Sequence, residues 1–312
     1  MTASPVPVAA SRASSALPSL QALTVAGFIV LTLAALGGIG GRAMGPLWAM
    51  GATVTAFALV IRSPAGFLAF VVSLWFYTPL VRRVLDLHHG FVPANLALAA
   101  PVLASSIAIL TVLRHARELR GNLFAPVLLV IAAITYGFLV GVLRNGTVPA
   151  FYAYLTWLSP ALVGLHTAMH WRRYPELRDV FLKTLAWSIG PAALYGIVQF
   201  VLLPPWDLYW MIETDLKSIG APQPFALRVF GSMTMPGTFA VVMEVGLLLL
   251  LTARVRGRLP SLVLGFIGLL EPVNFRMGQP SLLRDWAEGR GGRIWRWLAA
   301  GLICGFIWEA WN

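Results

Sequence analysis

The most constraining feature of this chain is a series of long apolar runs separated by short polar segments. Most of these runs approach or exceed the roughly 18 to 20 residues that a helix needs to cross about 30 Å of hydrocarbon. With 58% hydrophobic and 11% charged residues among 312, the chain is too apolar for an ordinary soluble surface. We therefore predict an all-α fold, a polytopic bundle of transmembrane helices. Eight predicted spans lie near residues 20–40, 44–61, 64–81, 91–113, 122–143, 148–169, 180–203 and 236–253.

Two further apolar runs follow these eight. The run at 259–270 is short enough to be re-entrant, and the run at 294–311 lies at the end of the sequence. We thus expect nine or ten spans, with one transmembrane domain over residues 20–270. Residues 1–19 are rich in Pro, Ser and Ala and predict a disordered cytoplasmic N-terminus. Residues 271–312 are rich in Arg and Trp and predict an atypical C-terminal segment that contains a last apolar helix.

The formal net charge of +11 is explained by membrane topology, because its basic residues lie between apolar runs rather than on one face that could bind nucleic acid. Basic residues resist translocation, so their distribution indicates orientation. With the N-terminus inside, the inner segments carry Arg12, Arg62, Arg114, Arg117, Arg120, Arg172, Arg173, Arg178, Arg254, Arg256 and Arg258. The outer segments then carry fewer basic residues: Arg42, Arg82, Arg83, Arg144, Lys217 and Arg228. This bias predicts a cytoplasmic N-terminus.

The segment at 203–235 is the longest loop among the first eight spans, and this topology places it on the outer face. Its aromatic residues Trp206, Tyr209 and Trp210 suit the level of the lipid headgroups, although they could also stack on a substrate. Four prolines argue against a continuous helix. We expect a shaped loop with one short surface helix.

Familiar cofactor and metal signatures are missing from the sequence. It contains no phosphate-binding glycine loop, no dinucleotide-binding turn and no zinc pair of the HExxH type. His88 and His89 are adjacent and lack nearby cysteines, while Cys304 stands alone. His166 and His170 share a helix face, as metal ligands can, but a face that snorkels at the cytoplasmic interface is the favoured interpretation. We predict no metal and no cofactor.

The clearest ionisable residue at membrane depth is Glu244, and Gln199 is a milder case. A carboxylate there is costly unless it is neutral or paired. Two interpretations stay open for Glu244: a protonated residue that packs between helices, and a functional group.

Several charges lie on the predicted outer face, among them Arg82, Arg83, Arg144 and Arg228. An arginine offers a planar, permanently charged fork that can hold phosphate or pyrophosphate. Transfer from an activated anionic leaving group needs such positioning and charge neutralisation rather than a metal. The alternative for each residue is an ordinary solvated loop charge. Asp86, His88 and His89 are predicted to share the loop of Arg82 and Arg83.

The sequence also carries a recognisable resemblance. The run LYGIVQFVLLPPWDLYWMIETDLKSIGAPQPFALRVFGSMTMPGTFA, from Leu194 to Ala240, resembles the central region of the O-antigen ligase/polymerase family. The run from Gly141 to Arg178 is similar to that family's upstream segment. The resemblance covers residues 60–255, and its most specific part is the Pro-Trp-Asp loop followed by Arg-x-x-Gly-Ser and Pro-Gly.

This resemblance implies a GT-C-like glycosyltransferase of the bacterial inner membrane that needs no metal. Its substrate would be a glycan linked to undecaprenyl pyrophosphate, used on the periplasmic face. The implied partners are membrane lipid, polysaccharide chain-length regulators and export proteins, and nucleic acid is not among them. Arg228 corresponds to the arginine that contacts the pyrophosphate. Together with the outer-face charges, the predicted substrate-binding set is Arg228, Arg82, Arg83, Arg144, Trp206, Gly231 and Ser232.

Nearby acidic residues supply the candidates for deprotonating the acceptor hydroxyl, namely Asp207, Glu213 and Asp215. Ligases of the family carry a catalytic histidine in a later loop, whereas no histidine follows His170 here. We therefore expect a polymerase-like protein whose C-terminal part is truncated or atypical. The alternative is a membrane scaffold, or a transporter of lipid-linked glycan, without catalysis.

Overall fold

The computed structural model describes residues 20–117, 119, 124–252, 289 and 292. This part of the chain forms helices and turns and contains no strand beyond one isolated bridge between Gly220 and Leu227. Its α-helices are α1 (Leu20–Leu36), α2 (Met44–Arg62), α3 (Pro64–His89), α4 (Ala100–Ser106), α5 (Ile109–Arg114), α6 (Ala125–Asn145), α7 (Thr147–Met169), α8 (Tyr174–Leu202), α9 (Pro205–Thr214) and α10 (Pro236–Thr252).

Local sequence signals explain where several helices begin and end. The turn between α2 and α3 is capped by Ser63, whose Oγ accepts a hydrogen bond from the Gly66 amide at 3.1 Å. Pro64 then occupies the first turn of α3, where its missing N–H costs nothing. At the other end of α3, Gly90 takes a positive φ of 88°, a backbone conformation that favours glycine.

One large apolar core lies between α1, α2, α3, α4 and α7. Trp48 and Phe67 are its largest members, with 2% and 0% of their surface exposed. The indole N–H of Trp48 donates to Thr32 Oγ1 at 2.9 Å, so the one polar atom of this buried ring is satisfied. The core fixes the first half of the bundle around α3.

A second packing region joins α3 to α8 and α8 to α10. Phe76, Ile189 and Met233 are buried there. Next to it, a smaller cluster beneath the 203–235 loop contains Trp210, Ile219 and Phe230. The 203–235 loop thus has an apolar core of its own that anchors it to the helix ends.

Six helical segments are long and apolar enough to cross a membrane, and they indicate a multi-pass membrane protein. They are Gly41–Arg62, Pro64–His89, Leu96–Arg114, Ala125–Asn145, Thr147–Met169 and Trp171–Leu202. The predicted first and eighth spans correspond to the 17-residue helices α1 and α10. The short helix expected inside the 203–235 loop is α9. The predicted runs at 259–270 and 294–311, and the disordered segment at 1–19, lie outside the described residues.

The third helix continues further than the sequence predicts. We expected a span that ends near residue 81, followed by a loop with Arg82, Arg83 and Asp86. That placement is wrong, because α3 continues to His89 and these three residues lie on its last turns. The helix can carry them because both arginines are paired with carboxylates, which offsets the cost of burying a charge.

The interpretation of His166 as a snorkelling residue is also wrong. Its side chain is fully buried and lies between α7, α5 and the start of α3. Its Nδ1 lies 2.8 Å from Thr111 Oγ1, and its Nε2 lies 3.4 Å from the carbonyl oxygen of Pro64. A hydroxyl from a helix distant in sequence satisfies the ring, which a helix-face pattern cannot reveal.

Candidate functional site

Most of the predicted site residues lie where the ends of α3 and α8 meet the 203–235 loop. The backbone of this loop is unusual, because Leu203, Asp215 and Phe225 have positive φ angles of 43°, 47° and 62°. They are the non-glycine residues with positive φ in the described part of the chain. Such conformations cost about 1 to 3 kcal/mol each, and they persist where the surroundings hold a functional shape.

The centre of this region is a buried ion pair between α3 and α9. Arg83 Nε lies 2.6 Å from Asp207 Oδ1, and the two residues are 1% and 0% exposed. The two remaining nitrogens of the guanidinium donate to backbone, Nη1 to the Met233 carbonyl at 2.5 Å and Nη2 to the Gly231 carbonyl at 2.6 Å. Arg83 therefore connects α3 to both ends of the 203–235 loop.

Asp207 is held from the other side by two residues of α8. Gln199 Nε2 donates to Asp207 Oδ2 at 2.7 Å, and the Tyr195 hydroxyl donates to the same oxygen. The Tyr195 oxygen in turn accepts the indole N–H of Trp206 at 2.6 Å. All three partners of the Asp207 carboxylate are side chains, so this carboxylate is held in one position.

The Gly231 turn is fixed by the same network. Gln199 Oε1 accepts hydrogen bonds from the amides of Phe230 and Gly231, at 3.0 and 2.9 Å. Gly231 has a φ of 52°, and a Cβ at this position would lie 2.3 Å from the Phe239 ring. Only glycine fits this turn without displacing the neighbouring ring.

These contacts give structural roles to several predicted site residues. Arg83, Asp207 and Gly231 are buried in the network, and Trp206 is half-buried against it. Ser232 is also buried, and its Oγ makes no hydrogen bond in the described structure. The network, which we name the Arg83–Asp207 network, consists of Arg83, Tyr195, Gln199, Trp206, Asp207 and Gly231.

Arg82 is placed in a second, separate ion pair on the adjacent face of α3. Its Nε lies 2.6 Å from Asp86 Oδ2, its Nη2 donates to the Val92 carbonyl at 3.0 Å, and its guanidinium stacks on the Phe91 ring. Asn95 donates to the other oxygen of Asp86 at 2.8 Å. Arg82 therefore fixes the segment that follows α3 and does not face open solvent.

Arg228 is different, because its side chain is exposed. Its backbone amide donates to the Ile219 carbonyl at 2.8 Å, which holds the residue on the loop. Among the described residues, its guanidinium makes no ion pair with any carboxylate. Arg228 thus presents an uncompensated charge on a rigid piece of backbone.

The remaining predicted charges are also exposed. Glu213 and Asp215 lie at the end of α9, on the same loop as Arg228. Arg144 lies apart from them, at the end of α6. The structure therefore brings Arg228, Glu213 and Asp215 into one loop and leaves Arg144 on another pair of helices.

An apolar groove has Val229, the residue after Arg228, in its wall. It encloses about 430 Å³ between α8, α10 and the loop. The other residues that line it are Ala193, Gly196, Ile197, Phe200, Phe239, Met243 and Glu244. Glu244 is exposed at this groove.

Sequence reasoning did not single out Tyr195 and treated Gln199 as a minor feature. Both belong to the Arg83–Asp207 network, and they are four residues apart on α8, which places them on one helix face. Two polar residues at this spacing in an apolar helix indicate a polar contact on that helix face. Their partner Asp207 could not be identified from the sequence.

Comparisons with protein-family models, curated proteins and solved structures find no match for this chain. The described residues contain no group of three or more His, Cys, Asp or Glu arranged to hold a metal ion. The chemistry of the 203–235 loop and the resemblance in its sequence are therefore the basis for proposing a function.

Proposed function

We propose that this protein transfers glycosyl units in the assembly of a bacterial surface polysaccharide, in the manner of an O-antigen polymerase. The donor is a glycan linked to undecaprenyl pyrophosphate. The observation that carries the proposal is the exposed guanidinium of Arg228, which makes no ion pair among the described residues, one position before Val229 in the wall of an apolar groove. A ligand that suits this combination has a phosphate group joined to a long apolar chain.

The two parts of the site match the two parts of such a donor. The arginine fork can hold two oxygens of a phosphate at once. The next residue in the chain, Val229, forms part of the groove wall. The groove of about 430 Å³ lies within the usual range for ligand pockets, about 300 to 1,000 Å³. It is large enough for the first part of a polyprenyl chain, while the rest would lie in the bilayer.

The reaction would proceed by attack of an acceptor sugar hydroxyl on the anomeric carbon of the donor. The new glycosidic bond forms as the bond from that carbon to the pyrophosphate oxygen breaks, and the electron pair leaves on the pyrophosphate. Arg228 stabilises this developing negative charge. The hydroxyl proton passes to a carboxylate. Of the three predicted acids, Glu213 and Asp215 are exposed, whereas Asp207 is engaged with Arg83.

The proposal includes an arrangement in the membrane. The chain would have nine or ten spans of a GT-C-like fold in the inner membrane, with a cytoplasmic N-terminus and a periplasmic 203–235 loop. The larger number of basic residues in the opposite segments supports this orientation. Partners that regulate chain length or export the polymer would meet the enzyme on the periplasmic side.

Deletion of the gene tests this function directly. In a bacterium that carries it, we expect the deletion to abolish polymerised surface polysaccharide and to leave single repeat units at the surface. The wild-type gene should restore the polymer on a gel of extracted polysaccharide.

The same experiment separates catalysis from transport. Loss of a transporter would remove the single repeat units as well, because none would reach the outer face. An unchanged polysaccharide profile after deletion would contradict both functions.

A further inference from the structure

A second pocket lies at the same end of α3, beside the Arg82–Asp86 ion pair. Its walls come from the glycine-rich turn before α2, from the last turn of α3 and from the segment that follows α3. It encloses about 160 Å³, the volume of about five water molecules at ~30 Å³ each. This size suits one small polar group.

The unbalanced charge of this pocket is positive. Arg42 lines it, is exposed, and makes no ion pair with any carboxylate in the described part of the chain. The acidic residue in the wall is Asp86, which is already neutralised by Arg82 at 2.6 Å and bonded to Asn95. An anion in the pocket would therefore meet Arg42 without competition from a free carboxylate.

Backbone forms part of the lining, because Gly41 and Gly45 contribute no side chains. At Gly45 the fit is close, since a Cβ there would lie 2.9 Å from Asn95 Oδ1. Any larger residue would push the segment after α3 outward and alter the pocket. The glycine keeps the space small and fixed.

We propose that this pocket binds the phosphate of an anionic phospholipid headgroup, with Arg42 as its charged donor. The pocket lies at the end of α3, a helix long enough to cross a membrane, so we expect it at the level of the headgroups, where an arginine fork can hold a phosphate. The ligand is recognised by charge and hydrogen bonding, and glycosyl transfer plays no part in it. The proposal therefore stands or falls separately from the polymerase function.

Native mass spectrometry of the purified full-length protein tests it. After exchange into mixed micelles that contain phosphatidylglycerol and phosphatidylcholine, the wild type should retain one phosphatidylglycerol in preference to the zwitterionic lipid. Arg42→Gln should lower this retention about fivefold, the effect of one basic residue at a membrane surface. Arg144→Gln removes an equivalent exposed charge from another pair of helices and should change nothing.

Two further measurements complete the test. Ala94→Glu places a carboxylate at the exposed rim of the same pocket and should also expel the anionic lipid. Inorganic phosphate should compete if the phosphate alone is recognised, and should fail to compete if the whole headgroup is needed, so the two results identify the source. Equal retention of both lipids by the wild type, or full retention by Arg42→Gln, would overturn the proposal.

Discussion

Arg83→Ala should destabilise the protein by about 3 to 5 kcal/mol, because it leaves the Asp207 carboxylate buried without a counter-ion. The same change removes the two hydrogen bonds from Arg83 to the Met233 and Gly231 carbonyls. Thermal unfolding in detergent measures the loss. Limited proteolysis should also show earlier cleavage within 203–235, since Arg83 connects both ends of that loop to α3.

Arg228→Ala is the matched control for this experiment. It removes the same charge from the same end of the bundle, but from an exposed side chain, so the unfolding temperature should stay close to that of the wild type. Arg83→Leu combined with Asp207→Leu should be more stable than Arg83→Ala, because no buried charge is left unpaired. If Arg83→Ala unfolds at the wild-type temperature, the ion pair does not hold the 203–235 loop.

Arg228→Ala should reduce polymer formation by about 10²-fold, the size of effect seen when one group that stabilises a developing negative charge is removed. Arg228→Lys should retain an intermediate activity, since an ammonium keeps the charge but loses the planar fork. The measurement is the amount and length of surface polysaccharide in a deletion strain that expresses each variant at equal level in the membrane.

Arg144→Ala is the control for the activity experiment. It removes another exposed arginine that the sequence assigned to substrate binding, but the structure places it at the end of α6, away from the 203–235 loop. We expect nearly full activity. Wild-type polysaccharide from the Arg228→Ala strain would contradict the role of this arginine, whatever the effect of Arg144→Ala.

The helices themselves were largely predictable, because hydrophobic length in a bilayer is a strong constraint. Predicted spans such as 44–61 and 148–169 correspond closely to α2 and α7. The end of α3 was not predictable by the same reasoning, which treats Arg82 and Arg83 as loop residues. Their burial depends on Asp86 and Asp207, and the second of these lies more than a hundred residues away.

The site was predicted in part. The 203–235 loop and its short helix follow from its prolines and aromatic residues. Which charges are buried and which are exposed does not follow, because Asp207 and Glu213 look alike in the sequence and differ only in their partners. The same holds for Arg83 and Arg228, one engaged in a network and the other facing solvent.

The central claim is that Arg228 binds the pyrophosphate of a lipid whose chain lies in the adjacent groove. Binding of undecaprenyl pyrophosphate to the purified protein in nanodiscs tests it most directly, with undecaprenol as the ligand that lacks the phosphates. We expect the wild type to bind undecaprenyl pyrophosphate much more tightly than undecaprenol. Arg228→Ala should remove most of this preference. Equal affinity for both lipids, or an unchanged preference in Arg228→Ala, would contradict it.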